Sequence, residues 1–328
     1  MSNIVRVQIN DNRTWHPLEI GARIVLALQK YDRIILDFMA EAPAIYHTEL
    51  PKFFAMLKDN GIDLSRIEIL SGNMIEDFDL VKVSKQPGFM FELKLFQQAE
   101  QSIFKDKQIK YHFGNLVSRC TLPRLVLAGY LRTHYKKETL QTFHWHSDSD
   151  YHKTHLGLDD LIHHYGIRSS EFADTVNLLK QAPITRDKIT MYPILHPINL
   201  FEPCNWYKEF FVDVICETWH QGDNFFVTEK FWRAVVTKTP FIIQGPQHTL
   251  SRLKKLGFQT FDQWWDEGYG EDPSYWNLYE IKKVIDYVSK WTIDDLVQVH
   301  KEMQPVLENN LEVFKTLTFE DFWKVTTT

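Results

Sequence analysis

Along the first hundred residues the hydrophobic positions switch repeatedly between two periods. Short apolar runs at Ile4–Ile9, Arg33–Phe38 (RIILDF) and Arg66–Leu70 (RIEIL) predict strands. Between them, Leu18–Gln29 (LEIGARIVLALQ) and Leu50–Asn60 carry apolar residues at helical spacing. Strands alternating with helices of about ten residues mark βαβ units and a parallel sheet. A polar KDKQIK stretch beginning at Lys105 interrupts the pattern, which then restarts with strand Tyr111–Val117, helix Leu122–Tyr135 and strand Thr139–His144. A His/Asp-rich stretch to His155 and helical patterns to Gln181 follow, then a Pro-punctuated connector (Pro183, Pro193, Pro197, Pro203). The chain continues as strand Phe210–Cys216, a polar loop, helix Thr228–Lys238, strand Pro240–Gln244 and helix Thr249–Leu256, with a helical tail from Pro273. No internal repeat interrupts this order. Two consecutive α/β halves are expected, a first domain over 1–106, a second over 107–305 and a helical tail over 306–328.

Composition agrees with that size. The 328 residues are 44% hydrophobic, enough for two cores at about 150 residues per domain. No run of about 18 apolar residues occurs, and MSNIVRVQINDNRTW lacks the apolar centre of a signal peptide, so a soluble, cytoplasmic protein is expected. Three widely spaced cysteines (Cys120, Cys204, Cys216) form neither a disulfide framework nor a CxxC metal site. The 37 Lys+Arg against 43 Asp+Glu give net −6, which disfavours a nucleic-acid binder acting through overall charge. That average hides a local excess: residues 105–137 hold eight cations (105, 107, 110, 119, 124, 132, 136 and 137) against the single acid Asp106. The 10 Trp, 13 Tyr and 23 Phe either fill core or line a site for ring-shaped ligands.

The segment Phe210–Pro246, FFVDVICETWHQGDNFFVTEKFWRAVVTKTPFIIQGP, concentrates the candidate chemistry. It reads strand, loop, helix, strand, with Gly222, Asp223 and Asn224 in the loop and Thr228 in the N-cap position. A helix N-terminus at the carboxyl edge of an α/β sheet suits an anion. Glu229 and Lys230 in the first turn then divide naturally, a carboxylate for ribose hydroxyls and an ammonium for a phosphate. From pattern alone, a capping acid beside a solvated lysine fits the same residues.

VTEKFWRA (227–234), preceded by the CET of Cys216–Thr218 and followed by TPFIIQGP, resembles the signature of the α1,3-fucosyltransferases, the family 10 glycosyltransferases. Phe113–Leu131, FGNLVSRCTLPRLVLAGYL, is similar to the first strand and helix of that family's donor domain, and the two stretches span about residues 110–250. Phe226 stands where the family has Tyr, removing a hydroxyl from the phosphate site, and the loop between Glu217 and Val227 is slightly longer. The resemblance implies a GT-B-like α/β protein, two Rossmann-like domains facing across a cleft. Lys230 and Arg124 would clamp a nucleoside diphosphate, Glu229 would hold its ribose, and Glu217 would lie near the donor sugar or nucleoside, with Thr228 completing the donor-binding set. Two cations and a helix N-terminus offset the growing charge of a leaving diphosphate without metal, so neither metal nor cofactor is expected and a nucleoside-diphosphate sugar is the co-substrate.

The expected reaction is an inverting transfer of a hexosyl, fucosyl or pentosyl group to a hydroxyl, with a carboxylate as base. Asp37, at the end of RIILDF, is the first candidate base and Glu41 the second, with Glu49 further on. The acceptor would be a glycan or lipopolysaccharide precursor or, in a phage-infected cell, hydroxymethylated DNA held by the 105–137 stretch. A non-catalytic nucleotide-sugar-binding module is the reading from another class. The oligomeric state is not set by the sequence. Competing motifs carry less. HWHSDSDYHKTH (144–155) offers His144, His146, Asp148, Asp150, His152 and His155 to a metal and contains a DxD. Asp77-Phe78-Asp79 shows how readily that pattern arises, and His163-His164 reads as helix surface. WWDEGYG (264–270) is either a cover over the nucleotide or a hydrophobic plug. Walker A, GxGxxG, GxSxG and HExxH motifs do not occur.

Overall fold

In a computed structural model, residues 3–8, 17–38, 49–71, 80–85, 89–99, 106–117, 122–143, 169–185, 201–217, 225, 227–271 and 277–326 are described. They build two four-stranded sheets in which every pairing is parallel. The first runs in chain order, β1 (Ile4–Gln8), β2 (Arg33–Phe38), β3 (Ile67–Ser71) and β4 (Lys82–Lys85). Helices α1 (Pro17–Leu28) and α2 (Glu49–Asp59) connect its first three strands. Leu50, Phe53, Phe54 and Leu57 recur on α2 at i, i+3, i+4 and i+7, and they meet Ile20 and Ile24 of α1 and Ile34, Leu36, Ile67 and Ile69 of the sheet in one core. Gly61, at φ 81°, takes the left-handed turn that ends α2, and the Ile62 N–H reaches back to Leu57 O at 3.1 Å. Arg66 donates to the carbonyls of Leu28, Tyr31 and Asp32, closing the open end of α1.

The second sheet has the order β6-β5-β7-β8, with β5 at Tyr111–Val117, β6 at Thr139–Phe143, β7 at Phe210–Cys216 and β8 at Phe241–Gln244. Its helices are α4 (Leu122–His134), α5 (Ser169–Gln181), α6 (Glu229–Val236), α7 (Thr249–Lys255), α8 (Asn277–Val288), α9 (Ile293–Glu302), α10 (Gln304–Thr316) and α11 (Phe319–Thr326). Every residue of β7 is buried, as a strand covered on both faces requires. α4 packs against α5 and α8, while α6 packs against α10 and against α3 (Phe89–Gln98). Leu93 and Phe96 of α3 belong to this second core, and Gln97 donates to Phe314 O and Leu317 O at 2.7 and 3.0 Å. Two glycines permit close approaches: the Phe210 ring lies over Gly114, and the backbone of Asp174 lies against Gly129 where α4 meets α5. Among the described residues no helix is long and apolar enough to cross a membrane.

The order of the second sheet matters for function. From β5 the chain passes through α4 to β6, and from β7 it passes through α6 to β8, on the other side. Because the two connections diverge from neighbouring strands, a crevice opens at the carboxyl ends of β5 and β7. This is the switch point at which open α/β sheets hold ligands.

Candidate functional site

β7 delivers Glu217 to that crevice directly after its last residue, Cys216, and the Glu217 N–H is fixed on Gln244 O at 2.8 Å. The carboxylate is fully buried and turned onto one residue: it accepts the Thr228 N–H at 2.9 Å and the Thr228 hydroxyl at 2.7 Å. Thr228 stands at the N-cap of α6 with an extended backbone, yet its side chain does not cap the helix. Its hydroxyl donates to Glu217 and accepts from Lys230 Nζ at 2.9 Å. The first intrahelical bond runs from the Trp232 N–H to Thr228 O, so the N–H groups of Glu229, Lys230 and Phe231 precede it at the open end of the helix.

Lys230 pairs with Glu229 at 2.9 Å and lies 3.9 Å from Glu217. Arg124, buried in the first turn of α4, spans the crevice from the other side and donates from Nε to Cys216 O at 3.1 Å. The structure therefore brings Arg124, Glu217, Thr228, Glu229 and Lys230 together from two separate connections. Burial works against ionisation of Glu229, but the charges of Lys230, Arg233 and Arg124 outweigh it and hold its carboxyl at about 2. Burial raises the Glu217 carboxyl, with the Lys230 charge and the two Thr228 bonds pulling the other way.

A second tier of charge lies beneath. α6 is buried from Lys230 to Val236, and it carries Arg233 among Phe231, Trp232, Ala234 and Val235, where a core helix is ordinarily apolar all round. Asp213, in the middle of β7, accepts the Tyr207 hydroxyl at 2.6 Å, and burial pushes its carboxyl up to about 7. The Lys107 ammonium donates to Tyr207 O, Phe210 O and the Thr239 hydroxyl at 2.6–2.9 Å, and burial drives it down to about 7. Among the described residues this cluster contains four cations (buried Arg124, Lys230 and Arg233 and half-buried Lys107) and three carboxyl groups (buried Asp213 and Glu217 and half-buried Glu229), two of them raised. Such a cluster favours an added anion.

Sequence reading missed Asp213, Arg233, Lys107 and Tyr207. The available signal was a charge inside an apolar run, FFVDVIC and EKFWRAVV, where burial demands a partner.

The remaining candidates fall elsewhere. Asp37 lies near the carboxyl end of β2 in the first sheet, buried, its carboxylate held by Arg6 Nε at 2.6 Å. Glu41, the loop residues Gly222, Asp223 and Asn224, Phe226, the 144–155 stretch, Asp77–Asp79 and His163-His164 lie outside the described residues. Glu49 opens α2. Among the described residues no group of three His, Cys, Asp or Glu is placed to hold a metal ion. Of the described cations in the 105–137 stretch, Lys107 and Arg124 turn inward, Arg132 donates to Gln181, and Lys110, Lys136 and Lys137 are exposed. Of the aromatic residues near the site, Phe225, Trp232, Trp265 and Tyr269 are core; ring contacts link the first three to Phe231, Phe258, Phe261, Phe314 and Phe322, and Trp264 is half-buried beside them. WWDEGYG thus acts as a plug at Trp265 and Tyr269.

Comparison with family models, curated proteins and solved structures finds no match.

Proposed function

We propose that the protein is a nucleoside-diphosphate-sugar-dependent glycosyltransferase of GT-B-like organisation, with the donor bound at the crevice of the second sheet. The observation that carries this reading is the convergence of Arg124 and Lys230 on the open N-terminus of α6 at the carboxyl ends of β5 and β7. A diphosphate placed there meets two cations and three backbone N–H groups, and Glu229 is an ionised acceptor within the same turn for ribose hydroxyls. The VTEK and CET resemblance points to the same residues.

In the proposed reaction an acceptor hydroxyl attacks the anomeric carbon while the bond from that carbon to the diphosphate oxygen breaks, inverting the configuration. A carboxylate of the first unit takes the hydroxyl proton, with Asp37 first and Glu41 second. Lys230, Arg124 and the helix N-terminus stabilise the negative charge on the departing nucleoside diphosphate, so no metal is required. The acceptor proposed is a glycan or lipopolysaccharide precursor. Hydroxymethylated DNA is the alternative acceptor, with Lys110, Lys136 and Lys137 the exposed cations among the described members of 105–137.

Thermal-shift screening of UDP-, GDP- and other nucleotide sugars, followed by transfer assays on glycan and hydroxymethyl-DNA acceptors in EDTA, tests the proposal. Donor-dependent stabilisation and metal-free transfer are expected. Binding that survives loss of both Lys230 and Arg124 sinks the donor site, and full turnover in Asp37→Asn and in Glu41→Gln sinks the base. Binding with neither transfer nor donor hydrolysis identifies a non-catalytic sugar-nucleotide module instead.

A further inference from the structure

β8 reads FIIQ, and its last residue, Gln244, is only 1% exposed, with a side-chain oxygen that has no hydrogen-bond partner. A buried carbonyl left unpaired costs folding free energy that leucine or methionine in the same space would not. Core packing therefore does not account for this amide. The register of the sheet fixes the face it is on. Gln141 of β6 donates to Ala128 O of α4 at 3.0 Å and to Asn115 Oδ1 of β5 at 3.1 Å, so α4 covers the face that carries Gln141 and Asn115. Phe113 pairs with Val212 and Cys216 with Gln244, and alternate residues of a strand share a face, so Gln244 lies on that same α4 face. Glu217, the residue after Cys216, turns the other way, to Thr228 and α6.

Two bonds tie this position to the crevice. The backbone O of Gln244 takes the Glu217 N–H at 2.8 Å, and its register partner Cys216 offers the carbonyl on which Arg124 Nε ends at 3.1 Å. We propose that Gln244 determines donor specificity, its side-chain oxygen accepting a hydroxyl of the transferred sugar. The inference rests on the donor-site reading above. There the ribose lies at Glu229 on α6 and the diphosphate between Lys230 and Arg124. The group beyond the diphosphate, the sugar, then comes to the strand ends on the α4 face, beside Gln244. A carbonyl oxygen accepts and does not donate, and a sugar ring carries several O–H donors. Because the oxygen is covered in the unliganded protein, the sugar displaces its cover on binding and no water competes for the bond. A donor that lacks the hydroxyl leaves the oxygen unpaired, and sites of that kind discriminate most sharply between similar ligands.

Calorimetry and thermal unfolding of the full chain with UDP, GDP, UDP-glucose, GDP-mannose and GDP-fucose test this. The wild-type protein is expected to bind one of these sugar nucleotides more tightly than its parent diphosphate. Gln244→Leu should lower that preference by about tenfold while affinity for the parent diphosphate stays within about twofold. Without ligand, Gln244→Leu should unfold at a temperature no lower than wild type, because it removes an unpaired buried group. Gln244→Met, unbranched and also apolar, repeats both measurements with a different shape. A lower unfolding temperature with the preference intact, or failure of both variants to fold, shows a structural amide and overturns the proposal. Equal weakening of sugar nucleotide and diphosphate moves the contact to the nucleoside and rejects the sugar role. Diphosphate binding that no sugar improves in the wild-type protein also rejects it and leaves the donor site intact. If the wild-type protein binds neither diphosphate nor sugar nucleotide, the donor-site reading fails, and this proposal with it.

Discussion

Glu217 and Thr228 are joined twice, one carboxylate oxygen taking the threonine N–H and the other its hydroxyl. The pair ties the end of β7 to the start of α6 across eleven residues, and Lys230 closes the arrangement by donating to the same hydroxyl. Thr228→Val keeps the shape and removes the oxygen, leaving a buried carboxylate oxygen and a buried ammonium each short of one partner. A loss of ~3 kcal/mol in unfolding free energy is expected, measured by urea denaturation against wild type. A change below about 0.5 kcal/mol would show that the brace is incidental.

Lys230→Ala and Arg124→Ala remove one charge-assisted contact each from the proposed diphosphate. About 30- to 100-fold weaker binding of UDP or GDP is expected for either, with circular dichroism confirming the fold. Arg124→Lys should not restore affinity, because an ammonium cannot reach Cys216 O and the ligand at once as a planar guanidinium does. Full rescue by lysine would show that charge alone is needed there.

His300 and Asp213 titrate in opposite senses within one core. His300 bonds Lys238 O through Nε2 at 3.1 Å, and burial, with the Lys107 charge, holds it at about 4 instead of 6.5. It therefore contributes stability that is complete above pH 6.5 and lost as pH falls toward 4. Asp213 is raised from 3.8 to about 7, so its contribution is complete below pH 3.8 and lost as pH rises through 7. Between pH 4 and 6.5 the two slopes, each up to about 1.4 kcal/mol per pH unit, offset one another. Denaturation at pH 4.5 and 6.5 should show a steeper acid loss in Asp213→Asn and an inverted slope in His300→Gln. Parallel behaviour of the two variants would contradict the assignment.

Gly114 lies under the Phe210 ring so closely that a Cβ would come within 3.0 Å of three ring carbons. Gly114→Ala should destabilise the protein by ~2 kcal/mol or more, and adding Phe210→Leu should recover part of that loss. Additive losses in the double variant would place the strain elsewhere.

The second sheet was the more legible half of the fold. β5 and β7 occupy the ranges their apolar runs predict, and β8 begins one residue later than expected, because Pro240 lies outside the strand. Buried parallel strands read as continuous hydrophobic segments, so their limits are sharp. β4 escaped notice for the converse reason: Lys82–Lys85 is an edge strand in which Val83 is the one buried side chain among those described, and it leaves no periodic trace. α3 carries an apolar run, but the core that explains it is built from residues more than a hundred positions later, among them Phe201 and Phe314. At the site, Arg124 and the Glu217–Lys230 group were recognisable because strand ends and helix starts carry them. The Asp213–Tyr207 bond was not, since nothing in a strand pattern states which charged residue will fold against it. Lys107 was misleading, as KDKQIK reads as solvated linker while its ammonium is enclosed by three oxygens.

α6 lies between β7 and the helices α3 and α10, with all but its first residue buried. Segments enclosed in this way open only when much of the surrounding core opens, so the amide protons of α6 should be among the slowest in the chain to exchange with deuterated solvent. The anion site would then stand ready before a ligand arrives. Its binding should show little ordering entropy from this helix, and a nucleotide that protects other amides on binding should leave those of Trp232 to Val236 unchanged.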